Sequence, residues 1–299
     1  MPMRFLACPG QGSQSVGFLI PWIESVPGFK SELVELGGAA GRDLLWLGTE
    51  ADEDTIKDTA NAQPLIVAAA IAAARTGLSG VPYQGVVGHS VGEFAAAAIA
   101  GVLSDQDAMA LVSVRAQAMA EAAAETATSM AAVLGGDESE VLAKLEELKL
   151  SPANYNGAGQ IVAAGEKARI SELLLDPPAK ARAIELKVAG AFHTHFMKPA
   201  VQTLAQAASQ VVARDPQIEL YSNQAGQRVT SGAQFLELLV NQVSNPVRWD
   251  KCMQALDALG VELVELPPAG ALAGLAKRAM QNSQALAIKT PSDLEKIGN

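Results

Sequence analysis

The chain has 299 residues, of which 49% are hydrophobic and 18% charged; this is ample core material and excludes global disorder or a coiled coil. Acidic residues number 32 against 22 basic, a net charge of −10 with no basic run, which argues against a nucleic-acid partner. Two cysteines, Cys8 and Cys252, form neither a disulfide framework nor a zinc cluster, so the expectation is a cytoplasmic protein without a metal. Residues 1–8 hold too short an apolar run for a secretory signal. The most apolar stretch, 62–74, contains Gln63 and Pro64 and is too short to span a bilayer, so no membrane association is expected.

In chain order, Arg4–Cys8 reads as a strand running into the loop Pro9-Gly10. Residues 64–75 are apolar nearly all round and predict a buried helix with Pro64 in its first turn. Gly85–Gly88 is a short strand, followed by a helix over 91–100. Ser104-x-x-Asp107 reads as a capping box opening a helix over 105–124. Strand, loop, helix, repeated, predicts an α/β sheet with helices on its faces.

The rhythm changes near Glu125. Strands are predicted at 130–134, 153–155, 160–164 and 183–187. Helices are predicted at 137–148, with Asp137 as N-cap, and at Lys167–Leu175. This β-α-β-β-α-β order is the ferredoxin-like unit, read as a small domain at 125–188 inserted into a large α/β domain at 1–124 and 189–299. Beyond it, helices are predicted at 197–212, 233–243, from Pro246-Val247 to before Gly260, and at 270–280. Strands are predicted at 218–222, 261–266 and 285–289.

Gly88-His89-Ser90-Val91-Gly92 is a G-x-S-x-G sequence between a predicted strand and a predicted helix, the setting of a nucleophile elbow. The helix start aims free N–H groups and a positive dipole end at the point where an oxyanion would form. A serine nucleophile needs a base, and only three histidines exist. His89 adjoins the serine and reads as structural. His193 and His195 both lie at the junction of the two domains, where clefts form, and spacing does not choose between them. Pro9-Gly10-Gln11-Gly12-Ser13-Gln14 follows the first strand and could add a second oxyanion donor; without a lysine it is not a phosphate loop. Arg115, in a mostly apolar helix, reads equally as a snorkelling rim residue or as a clamp for a carboxylate.

These motifs together resemble the malonyl-CoA:acyl carrier protein transacylases of fatty acid synthesis. The likeness runs from Phe5 to about Lys289 and includes Asn154-x-Asn156-x-x-Gly159-Gln160, Phe192-His193, Asn245-Pro246-Val247-Arg248-Trp249 and Gly274-Leu275-x-Lys277-Arg278. Its detail is most similar to actinobacterial members. The resemblance implies an α/β-hydrolase-like domain with a ferredoxin-like insert. It implies Ser90 as nucleophile and His193 as base, oriented by the backbone carbonyl of Gln242. It makes the Gln11 and Val91 N–H groups the oxyanion hole, and Arg115 the partner of the malonyl carboxylate. Asn154, Asn156 and Phe192 fall at substrate-cleft positions. Malonyl-CoA and an acyl carrier protein are the implied partners, with no cofactor. A polyketide or malonate-decarboxylase acyltransferase shares these motifs. A serine esterase or thioesterase shares the elbow but has no use for a buried Arg115.

Overall fold

Among the described residues, 3–297 of the computed structural model, ten strands build two sheets. In chain order they are β1 (Arg4–Cys8), β2 (Gly85–Gly88), β3 (Thr128–Gly135), β4 (Ser151–Gly157), β5 (Gln160–Glu166), β6 (Ala181–Leu186), β7 (Glu219–Ser222), β8 (Gln227–Arg228), β9 (Glu262–Glu265) and β10 (Gln284–Ala287). The large sheet runs β10-β9-β1-β2-β7-β8. Its first five strands are parallel and β8 is antiparallel. β1 and β2 are buried along their whole length, as parallel strands covered on both faces should be. Alternation along β1 separates the two layers: Leu6 and Cys8 join the core packed by helices Thr59–Ala72, Gly92–Ile99 and Asp105–Glu125. Phe5 and Ala7 face helices Trp249–Leu259 and Ala271–Ala279 on the other side.

The second sheet runs β4-β5-β3-β6, antiparallel throughout, with helices Glu138–Glu147 and Lys167–Leu175 on one face. This is the ferredoxin-like order. Period-two alternation assigns its faces: Ala131, Val133, Ile161 and Ala163 pack under the helices, while Met130, Ala132, Asn154, Asn156 and Val162 turn toward the large sheet and line a shared cleft. Among the described residues no helix is long and apolar enough to cross a membrane.

Several local expectations are corrected. The helix expected from residue 64 begins at Thr59, capped by Asp58, whose carboxylate accepts from the Ala60 N–H; Pro64 therefore sits inside it. The lost backbone bond is outweighed by burial, since every residue from 62 to 72 is buried. Pro246-Val247 does not start a helix. Val247 pairs with the small sheet instead: its N–H donates to Ala153 O, and Tyr155 N–H donates to Val247 O, both at 2.9 Å. The helix begins only at Trp249. The helix expected over 197–212 spans only Lys198–Ala208. Ser104 caps its helix by accepting from the Asp107 N–H at 3.0 Å, but the Asp107 carboxylate takes the Ser104 hydroxyl at 2.6 Å instead of the Ser104 N–H that a reciprocal box would use. Four helices between Ile20 and Lys57 were not predicted, although in Phe29–Ala40 the buried Phe29, Leu33, Leu36 and Ala40 recur at helical spacing.

Candidate active site

The carboxyl ends of the parallel strands converge on one cleft of about 470 Å³ roofed by the small sheet, the place where open α/β sheets bind ligands. β2 ends at Gly88, and Ser90 sits at φ +52° before helix Gly92–Ile99. The turn is possible because two glycines are in near contact with backbone. A Cβ on Gly88 would stand 2.2 Å from the Gly92 carbonyl carbon, and one on Gly92 would stand 2.2 Å from Cys8 O. Asn223, fully buried just past β7, fastens the elbow. It accepts from the Ser90 N–H at 2.8 Å and donates to Gly88 O at 2.7 Å.

His193 Nε2 lies 2.7 Å from Ser90 Oγ, and its Nδ1 lies 2.9 Å from Gln242 O. A carbonyl can only accept, so Nδ1 carries the proton and Nε2 offers its lone pair to the serine hydroxyl. No carboxylate is needed to fix this tautomer. Burial, and then the nearby Arg115 charge, push the His193 pKa down to about 3. It is thus a neutral base throughout the physiological range. His195 is exposed, its ring against Phe196. His89 bonds Asn156 Oδ1 at 3.0 Å and meets Trp249 edge-on, tying the elbow to the small sheet.

Arg115 is 1% exposed, so it does not snorkel. Nη1 donates to Gln63 Oε1 at 2.5 Å; Nη2 donates to Gln242 Oε1 at 3.2 Å and lies 3.3 Å from Ser90 Oγ. Among the described residues Nε is buried without a partner. Burial lowers its pKa to about 10, with Glu93 opposing, and the guanidinium stays charged at neutral pH. Gln11 and Val91 line the cleft, and neither backbone N–H is engaged by another backbone carbonyl among the described residues. Gln14 shapes the Gln11 loop: its side chain accepts from the Gly12 N–H at 2.8 Å and donates to Ile56 O at 3.2 Å. Asn154, Asn156 and Phe192 are buried in the cleft wall. No group of three or more His, Cys, Asp or Glu side chains suited to a metal ion occurs among the described residues.

Sequence reasoning assigned no role to Gln63, Glu93 and Asn223, nor to the Gln242 side chain. Glu93 is buried in the first turn of an otherwise apolar helix. That lone charge was a usable signal. Asn223, just past a short strand, offered none.

An acyl transferase domain match spans residues 5–291. The chain belongs to the acyl transferase domain family. Among similar members, the malonyl CoA-acyl carrier protein transacylase of Mycobacterium bovis is 50% identical, the alignment covering 99% of this chain and all of the relative. The Escherichia coli K12 protein of the same name is 33% identical over 95% of each chain. The crystal structure of MCAT from Mycobacterium tuberculosis superposes with a TM-score of 0.93 at 50% identity, covering 99% of this chain and 100% of that one. A malonyl-transacylase solved in complex with a type II PKS acyl-carrier protein gives 0.92 at 29% identity, covering 99% and 98%.

Proposed function

We propose that this acyltransferase moves a malonyl group from malonyl-CoA to the phosphopantetheine thiol of an acyl carrier protein, by way of a malonyl ester on Ser90, to supply fatty acid elongation. The observation that carries the reading is one hydroxyl, Ser90 Oγ, with a neutral imidazole at 2.7 Å and a buried guanidinium at 3.3 Å. The first is the apparatus of acyl transfer. The second suits an acyl group that ends in a carboxylate. The relatives named as malonyl transacylases support it.

His193 Nε2 takes the Ser90 proton as Oγ adds to the thioester carbon. The Gln11 and Val91 N–H groups hold the oxyanion, each contributing roughly 3 kcal/mol. The C–S bond then breaks, and the CoA sulfur leaves with the proton from His193. The carrier thiol enters the same site, gives its proton to His193 and attacks the ester carbon; the Ser90 Oγ–C bond breaks, Oγ takes the proton back from His193, and the acyl group leaves as malonyl thioester. One acyl group and one proton move in each half-reaction, so the chemistry calls for no cofactor and is ping-pong. The two buried free thiols suit a cytoplasmic setting. Intact-mass measurement with malonyl-CoA and no acceptor should show one malonyl group per chain, mapped to Ser90. An unmodified mass beside released malonate would favour a hydrolase instead.

Because His193 is already neutral well below pH 6.5, kcat/KM for malonyl-CoA should be flat from pH 5 to pH 8. A fall on the acid side with its midpoint near 6.5 would show a solvated, unperturbed histidine.

Phe192, beside the base, narrows the space around the thioester α-carbon. Methylmalonyl-CoA should therefore be a poor donor, and comparable kcat/KM for the two thioesters would refute this role. Docking of an acidic carrier must overcome the net charge of −10 through local cations. Arg278 lines the cleft, and Lys187, Lys198 and Lys277 are exposed. Charge reversal at a true contact should raise KM for the carrier and leave KM for malonyl-CoA unchanged. Four silent reversals would move docking elsewhere.

A further inference from the structure

A buried carboxylate holds the two residues that in turn hold Ser90, His193 and Arg115. Glu93 is 1% exposed. Its Oε1 accepts from the Asn223 N–H at 2.7 Å, and its Oε2 accepts from Gln242 Nε2. Asn223 fastens the Ser90 elbow. Gln242 holds His193 with its backbone carbonyl and Arg115 with its side-chain oxygen. The side chain of Gln242 is therefore a relay: it accepts from Arg115 and donates to Glu93 and, at 3.5 Å, to Asn223 Oδ1.

We propose that Glu93 is a positioning residue for malonyl recognition, fixing the amide orientation of Gln242 and through it the aim of Arg115. This rests on the malonyl-transfer reading above. The argument is one of hydrogen-bond polarity. The Asn223 N–H, the Gln242 amide and the Ser222 hydroxyl converge on Glu93; the hydroxyl can rotate, but the backbone N–H of Asn223 cannot turn away. A carboxyl group has two oxygens to accept them. Burial pushes the Glu93 pKa up to about 8, yet a protonated carboxyl still accepts through both its carbonyl and its hydroxyl oxygen, so the relay keeps its direction at neutral pH.

A carboxamide at this position has one acceptor only. With that oxygen committed to Asn223, its NH₂ faces Gln242. Gln242 must then flip to accept, and the flip turns its own NH₂ toward the guanidinium. Two donors now oppose each other, and Arg115 loses the acceptor that aims it. The His193 contact runs through the Gln242 backbone and survives the flip. Glu93→Gln should thus damage carboxylate recognition more than proton transfer.

The test is kcat/KM for malonyl-CoA and for acetyl-CoA with a carrier acceptor. Rates are taken per active site, titrated with a serine-directed fluorophosphonate, in the wild type, Glu93→Gln, Gln242→Leu and the double variant. The expected result is a malonyl-to-acetyl ratio lowered about tenfold or more in each single variant. The double variant should be no worse than the poorer single, since both break one relay. A ratio within threefold of wild type in either single variant, or losses that multiply in the double, overturns the inference. If Glu93→Gln does not fold, Glu93→Asp decides in its place, because the shortened carboxylate cannot reach both Asn223 and Gln242, and an unchanged malonyl-to-acetyl ratio there overturns the inference. A wild type that forms no malonyl ester would instead overturn the functional reading and this inference with it.

Discussion

Ser90→Ala is expected to abolish the acyl-enzyme, leaving no malonyl adduct by intact mass and no transfer above background. Among the described residues no second hydroxyl hydrogen-bonds His193 Nε2, whose partner is Ser90 Oγ at 2.7 Å, so none of them can stand in as nucleophile. His193→Ala should keep binding but slow both half-reactions by roughly 10²–10⁴-fold, the usual contribution of a positioned general base. Both halves suffer because, in the proposed mechanism, the same nitrogen deprotonates Ser90 and then the carrier thiol. The slowed burst of CoA release and the slowed transfer from pre-formed malonyl-enzyme can be read separately by rapid quench. His195→Ala should be nearly silent, since that ring is exposed against Phe196. An inactive His195→Ala beside an active His193→Ala would reverse the assignment of the base.

What the sequence disclosed follows from how local each signal is. The elbow was legible because its residue types lie within five positions, Gly88 against the Gly92 backbone and a serine at positive φ, even though Gly92 itself answers to the distant Cys8 backbone. The two-sheet architecture was legible from a change of rhythm, repeated strand-loop-helix units giving way to the order β-α-β-β-α-β. Choosing His193 over His195 needed the family resemblance, because both histidines sit on one irregular segment where spacing carries no direction. The Asn-Pro-Val stretch read as a helix start, since Pro is favoured in a first turn. Its real partners, Ala153 and Tyr155, lie about ninety residues away in sequence, beyond any local pattern. Gln63, Asn223 and Gln242 are uncharged polar residues whose roles arise only when three helices and a strand end meet around one guanidinium.

On the proposed reading, Arg115 is the residue that separates a transferase for malonyl groups from a general serine hydrolase. The malonyl ester on Ser90 carries a free carboxylate into a cleft where an unpaired charge is costly. Arg115 offers Nη2 within reach of Ser90 Oγ and an Nε that has no partner among the described residues. A carboxylate can satisfy such donors together, as a fork, and in doing so crowds out a water that would hydrolyse the ester. Acetyl-CoA brings no anion and leaves the guanidinium as it is. Arg115→Ala should therefore lower kcat/KM for malonyl-CoA by roughly 10²-fold or more, the equivalent of about 3 kcal/mol for a charge-assisted pair. Activity with acetyl-CoA should fall far less, or rise. Arg115→Lys should not restore the loss. An ammonium is a point charge, and it cannot accept the paired geometry that Gln63 and Gln242 impose on a planar guanidinium. The decisive measurement is kcat/KM for both thioesters in the wild type and both variants. Equal losses for the two would reduce Arg115 to a buried strut between Gln63 and Gln242, and the cleft would then have no feature that selects a dicarboxylic acyl group.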